Sequence, residues 1–217
     1  SPHCNTPFSR QLKALLQGIQ TTGPETSLAL GEPQHTASDF LVNALKNDKI
    51  VREGFGRYPA TEGTNTLRLA ISEFISRRHS PAECNPDQHV LPVNGTREAL
   101  FSIAQAITNP RHRSTVLIPN PFYQIYEGAA LLAGMNVHYL NEVPENNFCV
   151  EVSAISKDML KNTGLIYLCN PGNPHGRVMT RDQLKDWILI AQEHQIPLVS
   201  DECYSEIFPD EEDPPPG

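Results

Sequence analysis

The sequence predicts a three-layer αβα protein: a mostly parallel sheet with helices on both faces. Short apolar strand-like runs alternate with amphipathic helical stripes along most of the chain. Each run is separated from the next by enough residues for a right-handed crossover. Polar, turn-forming residues follow directly after several of the strands, and in such sheets ligands bind outside the carboxyl ends of the strands.

The elements can be justified in order. Residues 1–37, with several Pro and Gly and weak periodicity, are expected to form an N-terminal arm or small-domain segment, and 38–217 part of a large domain. Leu67, Ala70, Ile71, Phe74 and Ile75 form one apolar stripe, predicting a helix over 64–78. Gln88–Val93 is expected as a strand, followed by a helix from Thr96 with Ala99, Leu100, Ile103 and Ile107 on one face. Thr115–Ile118 is expected as a strand stopped by Pro119. Ile125, Tyr126, Ala129, Leu132 and Ala133 mark the next helix, Val137–Leu140 a strand, and Leu165–Leu168 a buried strand. Thr180 and Gln183 have capping-box spacing before the stripe Leu184, Trp187, Ile188 and Ala191. Ile196–Ser200 is the last predicted strand, with Asp201 just past its end. The acidic and then proline-rich stretch Asp210–Gly217 is expected as an exposed loop.

Composition narrows the function classes. The 217 residues carry 39% hydrophobic and 19% charged residues, as ordinary globular proteins do. A formal net charge of −8 speaks against nucleic acid or an anionic membrane as partner. The longest apolar stretch, Gly128–Met135, falls well short of the ~20 residues of a membrane span. No secretory signal is visible at Ser1–Thr6, so a soluble cytoplasmic protein is expected. Five cysteines without a Cys-x-x-Cys pair and eight scattered histidines argue against a disulfide framework and a metal site.

Three predicted strand ends carry chemistry. Asn94-Gly95-Thr96-Arg97 opens a helix, where free N–H groups attract an anion such as a phosphate. An ordinary turn with Thr96 as helix cap accounts for the same residues. Asn170-Pro171-Gly172-Asn173-Pro174-His175-Gly176 fixes a stiff backbone path beyond the needs of a plain connector. Asp201-Glu202-Cys203-Tyr204 puts a carboxylate at a buried strand's end, where it wants a cationic partner; a helix cap or a structural ion pair is the alternative. A nicotinamide dehydrogenase is set aside, because no Gly-x-Gly-x-x-Gly joins a strand to a helix.

In combination, the Gly95-Thr96-Arg97 cradle, the Pro121-Phe122-Tyr123 turn, the Asn-Pro turn and Asp201-x-x-Tyr204 resemble the fold-type I pyridoxal-phosphate aminotransferases of class I/II, from about Gly31 to Phe208. The resemblance implies the large domain of that fold and pyridoxal 5'-phosphate as cofactor. Gly95, Thr96 and Arg97 would hold its phosphate, Tyr123 would stack on its ring and Asp201 would pair with the ring nitrogen as the catalytic carboxylate. Asn170 and Tyr204 would bond the ring's 3-oxygen, with Asn170 also near the substrate. Tyr58, in Arg57-Tyr58-Pro59, matches the tyrosine that reaches the cofactor phosphate of the neighbouring subunit, implying a homodimer. Gly31, in Gly31-Glu32-Pro33, would meet the substrate's carboxylate end. His175 stands where the family usually has Thr, and no catalytic role is assigned to it.

The family's Schiff-base lysine follows the Asp-x-x-Tyr, and a substrate-binding arginine comes later still. Lys13, Lys46, Lys49, Lys157, Lys161 and Lys185 all precede Asp201, and the last three are expected on exposed helical surface. The expectation is therefore the N-terminal portion of an enzyme about twice as long, without the rest of the large domain and the C-terminal small domain, and inactive by itself. Val90–Val93 leading into Gly95–Leu100, Asn120–Gly128 and Glu202–Ile207 are similar to the succinyldiaminopimelate aminotransferase branch of bacterial lysine synthesis. That implies amino-group transfer between glutamate and an N-succinyl-2-amino-6-oxopimelate-type keto acid. Another aminotransferase of aromatic or kynurenine type, a β-lyase on the same cofactor, and a truncated cofactor-binding or dimerisation module without chemistry are the alternatives.

Overall fold

The computed structural model of the chain describes residues 8–19, 22–23, 35–80, 82–210 and 213–217. They fall into two compact units, Ser1–Tyr58 and Pro59–Gly217. The arm boundary expected at 37/38 lies inside the first unit, close to residues that are not described.

The first unit contributes three short helices, α1 (Phe8–Leu15), α2 (Asp39–Leu45) and α3 (Asp48–Phe55). Asn47 caps α3 by accepting from the N–H groups of Lys49 (3.1 Å) and Ile50 (3.3 Å). Phe40, Leu45, Phe55 and Tyr58 of this unit are largely exposed.

The second unit holds α4 (Asn65–Arg78), α5 (Thr96–Ile107), β1 (Thr115–Asn120), α6 (Gln124–Leu132), β2 (Asn136–Asn141), α7 (Lys157–Asn162), β3 (Thr163–Cys169), α8 (Arg181–His194) and β4 (Leu198–Asp201). The four strands form a parallel sheet in the order β2-β1-β3-β4. The chain leaves β1 to one side for β2 and returns to its other side for β3. The order therefore reverses between β1 and β3, and a crevice opens at their carboxyl ends.

Alternation along the strands divides the core into two layers. Val116 and Ile118 of β1 and Leu165 and Tyr167 of β3 pack against Leu100 and Ala104 of α5 and Tyr126, Ala129 and Ala130 of α6. Leu117, Ile166 and Leu168 face the other way, onto Leu160 of α7, Trp187 of α8 and Ile196. All seven residues of β3 are buried, as a central parallel strand requires. Tyr167 lies in this dry interior yet keeps its hydroxyl satisfied by donating to the Leu100 carbonyl at 2.6 Å.

The ends of the elements follow local chemistry. Thr180 accepts from Gln183 N–H (3.2 Å) while the Gln183 side chain accepts from Thr180 N–H (2.9 Å), completing the predicted capping box of α8. After α6, Gly134 takes a φ of +77°, and Met135 N–H reaches back to the Ala130 carbonyl at 2.9 Å. That closure needs a left-handed residue, which glycine supplies without steric cost. The expected surface lysines Lys157, Lys161 and Lys185 are exposed.

Four expectations are corrected. Gln88–Val93 is not a strand: residues 86–88 form a turn in which Gln88 and His89 N–H reach back to the Asn85 carbonyl, and no described strand offers the segment a ladder. Pro119 does not stop β1, which continues to Asn120. Carbonyls of Ser114 and Asn120 point toward β2, so position 119 faces β3, whose pairing with β1 ends at Leu117. The missing N–H of Pro119 is therefore never called upon. The last strand begins at Leu198 rather than Ile196 and includes Asp201 as its final residue. The proline-rich end is not a free loop either: Pro215 is buried, its carbonyl accepts from Arg78 (3.2 Å), and that of Pro216 accepts from Asn170 (2.8 Å).

Candidate active site

The loaded strand ends converge where the sheet order reverses. Asp201 closes β4 and is 7% exposed. Its Oδ2 accepts from the Tyr126 hydroxyl at 2.6 Å, and its Oδ1 accepts from Cys203 N–H at 3.3 Å. Tyr126 comes from α6, and its ring stacks on Tyr167 of β3 at 4.9 Å between centroids. Burial above all, then Cys169 and Asp201, drives the Tyr126 phenol far above its ordinary range, so it serves as a fixed donor. Burial likewise pushes the Cys169 thiol up to about 11.

Gly95 is the N-cap of α5 and presents no side chain to the helix's first N–H groups. The Glu98 carboxylate folds back over this first turn, its Oε2 2.6 Å from where a Cβ at Gly95 would stand. Thr96 Oγ1 lies 3.1 Å from Cys203 Sγ, tying the start of α5 to the segment after β4. Arg97 Nε donates to the Tyr123 hydroxyl at 2.9 Å, tying it to the segment after β1. Tyr123 also meets Tyr126 edge-on at 5.9 Å. Tyr204 is half-buried; burial raises its phenol, with further upward push from Cys169, Cys203, Asp201 and Tyr123 around it.

Asn170 follows β3 and is 1% exposed. Its N–H donates to the Asp201 carbonyl at 3.0 Å. Its Oδ1 accepts from Met179 N–H at 2.8 Å, which fixes the orientation of the carboxamide, and its Nδ2 donates to Pro216. A carboxamide nitrogen has two hydrogens, so this leaves one for another acceptor.

The structure thus brings Gly95, Thr96, Arg97, Tyr123, Asn170, Asp201 and Tyr204 together. Tyr58 belongs to the first compact unit and is wholly exposed. Gly31 lies outside the described residues. Sequence reasoning missed Tyr126 and Cys203 as site residues. The signal for Tyr126 was its place three residues after Tyr123 on the apolar stripe, since a buried tyrosine needs a partner for its hydroxyl.

The donor set fits one kind of ligand. Among the described residues no cationic side chain pairs with Asp201, and the helix start beside it carries no side-chain cap. A molecule with a protonated ring nitrogen at one end and a phosphate at the other satisfies both. No group of three or more metal-ligating side chains occurs among the described residues.

The chain belongs to the class I and II aminotransferases, whose family profile matches residues 24–216. This family is pyridoxal phosphate dependent. The chain is 35% identical over 182 residues to the LL-diaminopimelate aminotransferase of Dehalococcoides mccartyi, covering 83% of this chain and 46% of that protein. The protein of the same name from Natranaerobius thermophilus is 30% identical over 204 residues, covering 94% of this chain and 52% of the relative. The crystal structure of an aminotransferase from Neisseria meningitidis superposes with a TM-score of 0.86 at 38% identity, covering 98% of this chain and 53% of that one. The chain thus spans about half the length of the curated relatives it matches. Those relatives are named for LL-diaminopimelate, not for its succinylated form.

Proposed function

We propose that the protein of which this chain forms part transfers an amino group between glutamate and a keto acid of the diaminopimelate type. The observation that carries the reading is Asp201: a buried carboxylate held by Tyr126, with no cation of the described chain to neutralise it. The diaminopimelate class is supported by the relatives' names, and the N-succinylated form by the three stretches that resemble that branch. Cytoplasmic location and a homodimer, with Tyr58 reaching the neighbouring subunit's cofactor phosphate and Gly31 near the substrate carboxylate, belong to the same proposal.

Bound pyridoxal phosphate supplies an electron-withdrawing ring that stabilises negative charge at the substrate α-carbon. The chain's residues would hold and polarise it. Asp201 would keep a proton on the ring nitrogen, with Tyr126 keeping Asp201 from turning away. Gly95, Thr96 and Arg97 would offer backbone and side-chain donors to the phosphate, and Tyr123 would pack on the ring. Asn170 and Tyr204 would donate toward the ring oxygen.

Titration of the whole protein with pyridoxal phosphate, read by absorbance and competed with inorganic phosphate, tests the site. Asp201→Ala is expected to weaken binding by ~10- to 100-fold. Unchanged binding would remove Asp201 from the site. Glutamate-dependent formation of 2-oxoglutarate, with the succinylated and free keto acids compared side by side, tests the reaction; pyruvate and ammonia from cysteine conjugates would instead mark a lyase.

A further inference from the structure

The turn between β3 and α8 carries a buried pair to which the proposed chemistry gives no task. Glu142, just past the end of β2, and His175, in the turn after β3, have side chains only 7% and 9% exposed. His175 Nε2 lies 2.8 Å from Glu142 Oε2, and His175 Nδ1 accepts from Arg177 N–H at 3.0 Å. Because Nδ1 accepts, it carries no proton; the ring proton resides on Nε2 and is donated to Glu142.

Two further contacts hold the same imidazole. Phe148 stacks on it at 5.5 Å with 20° between the planes. Its Cε1 lies 2.1 Å from where a Cβ at Gly172 would stand, so the ring rests directly on the backbone at Gly172. The turn closes around it: Gly172 N–H donates to the Arg177 carbonyl and Gly176 N–H to the Gly172 carbonyl, both at 2.8 Å. The turn then ends on the bond from Met179 N–H to Asn170 Oδ1. Burial raises the Glu142 carboxyl above its usual range and the His175 bond pulls it back.

We infer that Glu142 and His175 are positioning residues: their hydrogen bond fastens the Asn170–Met179 turn to the end of β2 and so sets the direction in which the Asn170 carboxamide faces the cofactor. The cofactor half rests on the function proposed above; the fastening itself does not. A smaller residue at 175 would remove the turn's tie to Glu142, leaving the bonds within the turn and the reach of Arg177 Nε to the Asn147 carbonyl at 3.2 Å. The pair touches no reacting group. Its effect passes through the Met179 bond, the contact that engages the Asn170 oxygen and leaves the carboxamide nitrogen as the side that donates.

Amide hydrogen exchange of the whole protein, with and without pyridoxal phosphate, tests this. In His175→Ala and Glu142→Ala, exchange at Arg177 and Met179 is expected to rise about tenfold, the size of one lost hydrogen bond, while Val116 and Tyr167 in the sheet stay protected. Glu142→Gln keeps the acceptor and should restore protection to within about twofold. The dissociation constant for pyridoxal phosphate should rise in the two alanine variants and return in Glu142→Gln, a rescue that general loosening would not give. Unchanged exchange at Met179 in both alanine variants overturns the fastening. Raised exchange with unaltered cofactor affinity overturns the role toward Asn170. A wild-type protein that takes up no cofactor sinks the reading of the site and the cofactor half with it, while the exchange result still decides the fastening.

Discussion

The hydroxyl of Tyr126 on α6 donates to the carboxylate of Asp201 on β4 at 2.6 Å, joining the aromatic layer on one face of the sheet to the end of a strand two places away from β1. The bond exists because α6 returns over β1 and β3, where Tyr126 stacks on Tyr167 and its polar tip reaches past the sheet's edge. A buried carboxylate and a buried phenol satisfy each other, with the Cys169 thiol beside the phenol and the Cys203 thiol beside the carboxylate.

Tyr126→Phe removes that donor and nothing else of comparable size. Folding stability is expected to fall by about 1.5–3 kcal/mol, the range for a hydrogen bond to a charged acceptor. Urea unfolding should show a lower midpoint with an unchanged slope. A loss below ~0.5 kcal/mol would mean that Asp201 finds water or another donor with ease.

Gly172→Ala brings a methyl group to within 2.1 Å of the His175 ring, closer than any relaxed contact. The cost is expected at about 1–3 kcal/mol. Combining it with His175→Thr should recover most of that loss, because the obstacle and the intruder are removed together. A double variant as unstable as the sum of the singles would show that the glycine is needed for some other reason.

Alkaline pH should destabilise the chain earlier than ordinary tyrosines would suggest. Burial pushes Tyr167 up to about 12, the Glu127 bond and burial push Tyr139 up to about 12, and burial pushes Cys169 up to about 11. Each holds its proton more tightly when folded than when unfolded. Their stabilising contribution is intact below the unfolded values, near 10 for tyrosine and 9 for cysteine, and is lost as pH rises through about 11 to 12. Denaturation midpoints at pH 8, 10 and 11.5, with the tyrosinate absorbance followed alongside, would reveal this; a flat profile contradicts it.

Of the four described cysteines, Cys203 alone is exposed, whereas Cys149 and Cys169 are buried. Its thiol is nonetheless held above the usual value, by partial burial and by Asp201. Alkylation with iodoacetamide and peptide mapping should therefore label Cys203 before Cys149 and Cys169, with a rate that is still climbing above pH 9. Thr96→Ala, which removes a hydroxyl that lowers the thiol, should slow it further.

The sheet and its helices were legible because the short continuous apolar run Leu165–Leu168 and the helical stripe of the 64–78 segment differ so clearly. Tyr123, Asn170 and Tyr204 stood out because each comes soon after a strand and Asp201 because it ends one, whereas Gly95, Thr96 and Arg97 stood out as a helix start although the strand expected before them is absent. Their partners were not. Tyr126 looked like core, since nothing local says that α6 begins beside the end of β4, a contact spanning 75 residues of chain. Gln88–Val93 alternates like a strand, yet pairing is a property of two segments and the described sheet offers it none. The buried Glu142–His175 bond was equally hidden, because charge and histidine in a turn ordinarily imply solvent.

The carbonyls of Pro215 and Pro216 bear on two donors of the body, Arg78 and Asn170. Three prolines in succession, Pro214 to Pro216, contribute no amide hydrogen at all. The run they form is thus a one-way rail: it can accept from the guanidinium and the carboxamide pressed against it, but it has no hydrogen of its own to lend. Any other tripeptide there would carry N–H groups in search of an acceptor.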